Sequence, residues 1–419
     1  MRVAAVRHAT TSSVIALGLI VVAGIPAVLL RAGLLSTSSE VSTLVFGLGI
    51  VSAAFAMSWG AEAAERDIPR ALALIVVALL AVLPEYAVDV VLAWKAGADP
   101  SFAPYAVANM TGSNRLLLGV GWPMIALLTW SVRGHRLIRL DRGNIRGLLF
   151  LTAATVYSFV LPFKARISLA DSVVLIALFA GYAVAAARSP SVEPDLVGPA
   201  AMIGALSAPH RRATVGALFV FAAAVVGLSA EPFAEGLLAT GRHLGIDEFR
   251  LVQGLAPFAS EAPEFIVAGL LAVRGKPSAA LGVLLSSKVN QWTLLVGSLP
   301  IAYSIGASHV VPLPLDERQV AEVLLTATQS LFGVGVLAGL SLSLSESGLL
   351  AGLFFGQLAL GGLLHTRWRD SGWAGTELLV FAALYVVLAV GAFLRARAPR
   401  IWLAITSPGA VWRRTSPRV

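Results

Sequence analysis

Two short stretches of this chain place a glutamate directly after a proline inside an otherwise apolar run. The first reads Leu83-Pro84-Glu85-Tyr86-Ala87-Val88 and the second reads Ala262-Pro263-Glu264-Phe265-Ile266-Val267. A carboxylate at membrane depth is costly and usually marks an ion or substrate path. Because proline lacks a backbone N–H, it also frees a carbonyl oxygen about one turn upstream. Such oxygens are hard ligands suited to calcium or sodium. We therefore predict a cation site that includes Glu85 and Glu264.

A polar stretch follows each Pro-Glu motif within the next apolar run. It reads Asn109-Met110-Thr111-Gly112-Ser113-Asn114 in the first case and Ser286-Ser287-Lys288-Val289-Asn290-Gln291 in the second. Hydroxyl and amide oxygens there can complete the shell of a hard cation, and they can equally form hydrogen bonds between helices. The further candidate ligands are Ser113, Asn114, Ser287, Asn290 and Gln291.

Two more acids lie within one helical turn of the Pro-Glu pairs. Asp89 follows Glu85 by four residues, and Glu261 precedes Glu264 by three, so each shares a helix face with its neighbour if the helix is continuous. Crowded carboxylates in a low dielectric bind protons more readily, which allows proton exchange. The alternatives are a vestibule position for Asp89 and, for Glu261, a cap or an ion pair with Lys288.

Two cations, Lys288 and Arg115, also fall within predicted spans. A cation at membrane depth rarely lacks a partner, so we expect Lys288 to pair with one of the carboxylates. It then either lowers metal affinity or loses its proton and takes part in proton coupling. Arg115 either tunes the charge of the site or faces a vestibule.

Composition indicates a membrane protein. Apolar residues make up 57% of the 419 residues and charged residues 13%, against about 25% charged in soluble chains. The apolar runs of about 17 to 28 residues are long enough to cross a bilayer. The chain has no Cys, and its six His show no metal-ligand spacing. No catalytic or phosphate-binding motif stands in a suitable context, so we expect no enzyme activity and no cofactor.

Hydropathy predicts an all-α polytopic protein of about twelve spans. A proline-rich stretch, 191–212, is expected to be a cytoplasmic linker between a first half, 1–190, and a second half, 213–419. The predicted spans are 13–35, 42–62, 71–94, 102–130, 145–161, 170–187, 213–240, 247–272, 278–305, 319–344, 348–365 and 375–394.

The distribution of basic residues predicts the orientation. With the N-terminus inside, 20 Lys and Arg residues fall on the cytoplasmic side and 9 on the outside. The positive-inside rule then places both termini in the cytoplasm of a plasma-membrane protein. The net charge of +8 is explained by loops and tails rather than by nucleic acid. The first run is longer than a secretory signal, so we expect it to be retained. An excess of Arg over Lys suggests a bacterial source.

The two motif-bearing segments form an internal repeat of opposite polarity. Repeat 1 covers about 71–130 and repeat 2 about 247–305. Under the topology above, Gly97 after the first motif lies outside and Gly275 after the second lies inside. Inverted repeats with discontinuous helices at the midplane are typical of secondary transporters.

These repeats resemble the alpha repeats of the cation/calcium antiporter superfamily, which includes sodium/calcium and proton/calcium exchangers. In that family each repeat runs roughly Gly-Thr-Ser-x-Pro-Glu and later Gly-Ser-Asn-Ile-Phe-Asn/Asp. Glu85 and Glu264 match the Pro-Glu ligands, Ser113 and Asn114 match the first Ser-Asn, and Ser287 matches the second Ser. The resemblance implies ten core helices in two inverted sets of five.

The chain also departs from that family pattern. Ala81 and Val82 replace Thr-Ser, Lys288 replaces the second Asn, and the terminal Asn/Asp falls on Leu117 and on Gln291. The resemblance implies a secondary antiporter that exchanges Ca²⁺ for Na⁺ or H⁺ by alternating access. A Na⁺/H⁺ antiporter and a transport-inactive membrane scaffold remain alternatives. The expected partners are the bilayer and the transported cations, with no nucleic acid and no obligate protein partner.

Overall fold

The structure is a computed structural model that describes residues 2–64, 66–67, 83–188, 196–367 and 375–395, with the backbone alone for 2–11, 83–85 and 365–367. The chain forms two compact units. Unit 1 comprises Met1–Ser113, Ser168–Val267 and Leu295–Leu313, and unit 2 comprises Asn114–Ile167, Ala268–Leu294 and Pro314–Val419.

The described chain is almost entirely helical, as its long apolar runs predict. Its α-helices are α1 (Arg2–Arg31), α2 (Ser39–Ala64), α3 (Leu83–Ala98), α4 (Ala103–Leu116), α5 (Trp122–Arg133), α6 (Ile145–Ser158), α7 (Val160–Lys164), α8 (Leu169–Ala187), α9 (Gly198–Gly204), α10 (Ala208–Leu244), α11 (Glu248–Val273), α12 (Pro277–Asn290), α13 (Val296–Gly306), α14 (Glu317–Leu337), α15 (Leu344–Arg367) and α16 (Thr376–Arg395). The strands are β1 (Leu137–Arg139), β2 (Arg166–Ile167), β3 (Leu313–Pro314) and β4 (Ser341–Ser343).

Two π-helical segments join helices that would otherwise be separate. Leu117–Gly121 connects α4 to α5, and Gln291–Leu295 connects α12 to α13. Each begins four residues after a serine that the sequence analysis aligned, Ser113 and Ser287. A π-segment adds one residue to the turn and often lies at a functional site. Its recurrence at the same offset is a structural counterpart of the sequence repeat.

In unit 1, α2 and α10 pack along each other, and α1 packs on α2. Small side chains such as Ala53, Ala56 and Ala222 line this contact with Met57 and Val225. Small residues bring helix backbones close together, which replaces the hydrophobic drive that is absent in lipid. Helix α3 packs against α10 and α13, and α8 packs against α13.

In unit 2, α14 is the central helix and packs against α6 and α16, while α12 packs against α5 and α6 and α15 packs against α5. A capping box starts α14, because Gln319 N–H donates to Asp316 Oδ1 at 2.7 Å and so satisfies an open donor of the first turn. Strands β1 and β4 pair antiparallel, with Leu137 opposite Ser343.

The predicted spans agree well with the helices. Ten helices in the described ranges are long and apolar enough to cross a membrane. Of the other two predicted spans, the third lies partly outside those ranges, and the ninth is the helical run 277–306. One predicted end was wrong: the tenth span stops at Leu337 rather than at 344. Leu340 has a left-handed φ of 55°, and the chain then enters β4. The short helix α9 within 191–212 was not predicted.

Candidate cation site

Helix α11 carries two of the predicted acids in unit 1. It is continuous through Pro257 and Pro263. Glu261 and Glu264 therefore share a face, as their spacing predicts for a continuous helix. Glu261 is buried, and the Oε2 atom of Glu264 is buried with no hydrogen-bond partner among the described residues. The two prolines leave carbonyls without an i+4 donor in the same helix. The helix therefore combines carboxylates with free carbonyl oxygens.

Helix α3 carries the other two predicted acids. The helix includes Glu85, whose side chain lies outside the described residues, and Asp89 one turn later. Asp89 is fully buried and lies beside the side-chain amide of Asn109, at a geometry short of a regular hydrogen bond. A buried carboxylate without strong donors is costly as an anion. Asp89 is therefore suited to hold a proton or to contribute to a cation.

A third acidic helix in unit 1 was not among the predicted ligands. Glu62 on α2 accepts a hydrogen bond from Ser58 Oγ at 3.3 Å, and it lies close enough to Glu264 for their carboxylates to interact electrostatically. The sequence signal was its place in Ala61-Glu62-Ala63-Ala64-Glu65 near the end of an apolar run. A carboxylate near the end of an apolar run is ordinarily solvated, and sequence alone does not show which helix ends face each other.

The second polar stretch of repeat 1 approaches α11 closely. Gln253 Nε2 donates to Thr111 Oγ1 at 3.2 Å, and Gly112 lies directly against the carbonyl oxygen of Gln253. Pro257, four residues later, cannot donate to that carbonyl. Ser113 is buried, and its Oγ has no hydrogen-bond partner in the described part of the chain. Unit 1 therefore brings the polar stretch of repeat 1 beside the helix of the second Pro-Glu motif.

In unit 2, the ammonium of Lys288 is bound by Asn114. Lys288 Nζ donates to the backbone oxygen of Asn114 at 2.5 Å and to its Oδ1 at 3.0 Å. Nζ also lies 5.3 Å from the ring centroid of Trp292. Both partners of Lys288 are fully buried. The predicted pairing of Lys288 with a carboxylate stays a prediction, and the contact with amide oxygens is an addition to it.

Arg115, the next residue after Asn114, is only 1% exposed. Its Nη1 donates to Glu322 Oε2 at 3.0 Å, a second nitrogen donates to Gln357 Oε1, and the guanidinium lies 5.7 Å from the Phe354 ring centroid. Sequence reasoning missed Glu322 because it lies near the start of a predicted span. The available signal was the polar series Glu322, Thr326 and Gln329 along one helix.

The remaining candidate ligands lie on α12 or at its end. Ser287 Oγ donates to the carbonyl of Val283 in its own helix at 3.3 Å, which is the structural use of a serine in a membrane helix. Asn290 and Gln291 are buried, and Gln291 opens the second π-segment. No three His, Cys, Asp or Glu side chains form a metal cage within the described ranges.

Comparisons with known proteins identify the family. The model of the family described as sodium/calcium exchanger protein matches residues 38–188 and 214–394. The chain belongs to this family. No curated protein gave a significant match. The predicted family and the predicted fold class, an all-α polytopic membrane protein built from two repeats, are thereby confirmed.

Solved structures agree with this assignment. The chain is similar to the H⁺/Ca²⁺ exchanger CAX, with 41% identity over 96% of this chain and 98% of that one and a TM-score of 0.87. It shares its fold with native YfkE (17% identity, 90% and 99% of the two chains, TM-score 0.57). The same holds for the sodium-calcium exchanger NCX_Mj (18% identity, 76% and 97%, TM-score 0.51).

Proposed function

We propose that this chain is a secondary antiporter that moves Ca²⁺ across a membrane in exchange for protons by alternating access. The observation that carries the proposal is the 41% identity to an H⁺/Ca²⁺ exchanger along nearly the whole of both chains. The buried acids of α3 and α11 support it, because hard oxygen ligands in a low dielectric suit a divalent cation and crowded carboxylates also bind protons.

Glu85 and Glu264 are the proposed principal ligands, one from each repeat. Asp89 and Glu261, one turn away from them, are proposed to share the charge and to carry protons when the metal leaves. The proposed minor ligands are Ser113, Ser287, Asn290 and Gln291, whereas the oxygens of Asn114 are engaged by Lys288. Arg115 and Lys288 are proposed to tune the charge of the site. We also propose that residues 191–212 are a cytoplasmic linker between the two halves, 1–190 and 213–419.

The proposed setting is the plasma membrane of a bacterial cell, with both termini in the cytoplasm. The chain needs no cofactor in this scheme and catalyses no covalent reaction, and its ions are transported substrates. Its proposed partners are the lipid bilayer and these cations. The support for the orientation is the excess of Lys and Arg in the connections assigned to the inside.

The experiment is Ca²⁺ uptake into proteoliposomes that contain the purified protein. An outward proton gradient should drive uptake, and Glu264→Gln should reduce it to the rate of empty vesicles. Glu248→Gln, in the first turn of the same helix, is the matched control and should keep the wild-type rate. A wild-type protein that moves no Ca²⁺ under a proton or a sodium gradient would refute the function. Uptake that survives Glu85→Gln combined with Glu264→Gln would refute the site.

A further inference from the structure

We propose that the ammonium group of Lys288 is a tethered monovalent cation that occupies the oxygen ligands of Asn114 and thereby excludes Na⁺ as the counter-ion of exchange. The inference rests on the proposed antiport function and deepens it by selecting the ion that drives Ca²⁺ movement. Its basis is the contact between two residues of unit 2, Lys288 and Asn114.

The two oxygens that hold Lys288 are of the type that binds Na⁺ and Ca²⁺. Backbone and side-chain carbonyls are hard ligands, and Asn114 offers one of each. Both accept from the same Nζ, at 2.5 and 3.0 Å. Lys288 and Asn114 are both 0% exposed, so water does not compete for these oxygens. A subsite with the chemistry of a cation site is therefore filled by a group of the chain itself.

The ammonium is fixed in place by an aromatic side chain. The ring of Trp292, one turn after Lys288, lies 5.3 Å from Nζ, within the range of a cation–π interaction. The ring is itself held, because Trp292 Nε1 donates to Ser330 Oγ at 2.6 Å. The ammonium of Lys288 is thus positioned by three elements: α4, α14 and the π-segment that follows α12. These contacts restrict the position of the Lys288 side chain at Asn114.

Arg115 does not compete with Lys288 for Asn114. Its guanidinium is bound by Glu322 and Gln357, and the ion pair with Glu322 at 3.0 Å offsets its charge. Of these two neighbouring cations, Lys288 is the one whose charge faces the oxygens of Asn114. A sodium ion at the same oxygens would meet this charge at contact distance. At an effective dielectric constant of about 20, that repulsion weakens binding by at least about 100-fold.

Charge balance explains why this matters for the choice of counter-ion. Electroneutral exchange of one Ca²⁺ needs two Na⁺, and each Na⁺ needs its own set of oxygen ligands. An ammonium that holds both oxygens of Asn114 removes these oxygens from any such set. Protons need no such set, because each one binds to a single carboxylate oxygen. The acids of α3 and α11 can therefore carry protons whether or not the oxygens of Asn114 are occupied.

The experiment compares two gradients in proteoliposomes. Wild type should take up Ca²⁺ under an outward proton gradient, should not do so under an outward Na⁺ gradient, and should not move radioactive Na⁺. The charge-free variants are Lys288→Met and Lys288→Asn, of which the second restores the residue that the family pattern carries at this position. Each should increase the effect of a Na⁺ gradient on Ca²⁺ uptake at least about tenfold. Lys288→Arg keeps the charge and should behave as wild type. Lys276→Asn, an exposed lysine of the same unit, is the matched control.

Sodium-driven Ca²⁺ uptake by the wild type would overturn this inference and leave the antiport function standing. A folded charge-free variant that stays indifferent to Na⁺ would overturn it as well. If neither charge-free variant folds, the wild type decides: a saturable Na⁺-dependent rise in its melting temperature counts against the inference, and no rise supports it. Absence of Ca²⁺ uptake under every gradient refutes the proposed function instead.

Discussion

Arg115 and Glu322 are a buried ion pair between the end of α4 and the first turns of α14. Their side chains are 2% and 4% exposed, so neither charge can be solvated if the other is removed. A buried pair contributes little net stability compared with apolar residues, but a broken pair leaves a charge without a partner. This asymmetry gives a test at the scale of a single residue.

Glu322→Gln should lower the free energy of unfolding by about 3–5 kcal/mol, because the guanidinium of Arg115 then stays buried without a counter-charge. The measurement is the melting temperature in detergent. Glu317→Gln, an exposed acid in the first turn of the same helix, is the control and should change little. Combining Glu322→Gln with Arg115→Gln should recover part of the loss. If Glu322→Gln and the control Glu317→Gln have equal melting temperatures, the ion pair does not stabilise the fold.

A second ion pair, outside the membrane spans, gives a prediction about pH. Arg211 donates to both oxygens of Asp67, at 2.6 and 2.7 Å, and these hydrogen bonds hold the pKa of Asp67 below its ordinary value. A carboxyl group with a lowered pKa stabilises the fold above its unfolded pKa and loses this effect as the pH falls through the folded pKa.

Asp67→Asn should therefore melt below wild type at neutral pH, by the equivalent of about 1 kcal/mol for a pair near solvent. The difference should shrink as the pH falls below the ordinary carboxyl range, because Asp67 is then protonated in the wild type too. Melting temperatures at a series of pH values measure this. Asp141→Asn, an exposed acid, should show no such trend. A difference that stays constant down to acid pH would argue against the charge of Asp67 as its cause.

At the scale of elements, the crossing of α4 and α11 depends on one glycine. A Cβ atom on Gly112 would fall inside the van der Waals radius of the Gln253 carbonyl oxygen, and a backbone oxygen cannot rotate away. Thr111 adds a hydrogen bond to Gln253 at the same level. The crossing brings the polar stretch of one repeat next to the acidic helix of the other.

Gly112→Ala should push these two helices apart, lowering both the melting temperature and the rate of Ca²⁺ uptake. Gly254→Ala is the matched control. It lies on α11 beside Gln253 and has open space around its Cα, and alanine favours a helix over glycine by up to about 1 kcal/mol. That variant should be as stable as wild type or more so. If both variants keep full stability and transport, the close crossing is not required.

Helix positions were largely predictable from the sequence, and side-chain partners were not. Apolar runs bounded by charged residues place α2, α8 and α11 within a few residues of their observed ends, because the bilayer thickness sets helix length. The end of α14 was not predictable in this way. Its apolar run continues past Leu337, but pairing of β4 with β1 ends the helix earlier.

For the candidate site, the sequence could indicate acids and not the contacts around them. Proline next to glutamate in an apolar run selected Glu85 and Glu264, since few other roles justify that cost in a membrane. The partner of Arg115 and the amide oxygens around Lys288 depend on which helices meet, and hydropathy carries no such information. The two π-segments were also invisible, because no residue type marks them.

At the scale of the whole molecule, the compact units do not follow the two halves of the chain. Each unit takes segments from both sides of 191–212, so each is built from parts of both repeats. A duplicated protein whose halves folded separately would not show this pattern. The interleaving raises the question of polarity, because helices from two repeats can share a unit in parallel or in inverted orientation.

The predicted inversion can be tested by placing single cysteines at equivalent points of the repeats. The chain contains no cysteine, so each introduced thiol is the only one. Ala98 and Lys276 lie 13 and 12 residues after Glu85 and Glu264, and both are exposed in the structure. A membrane-impermeant maleimide added to intact cells should label Ala98→Cys, and it should label Lys276→Cys only after the cells are opened. Inverted repeats require this result, because equivalent points of the two repeats then face opposite sides of the membrane.

Two further positions fix the absolute orientation in the same assay. Ser36 follows the first span and Ala205 lies in the linker between the halves, and both are exposed. With both termini inside, Ser36→Cys should react in intact cells and Ala205→Cys should not. Reversed labelling of all four positions would keep the inversion and place the termini outside, against the charge distribution. Labelling of Ala98→Cys and Lys276→Cys from the same side would show parallel repeats, and alternating access through an inverted pair would then lose its basis.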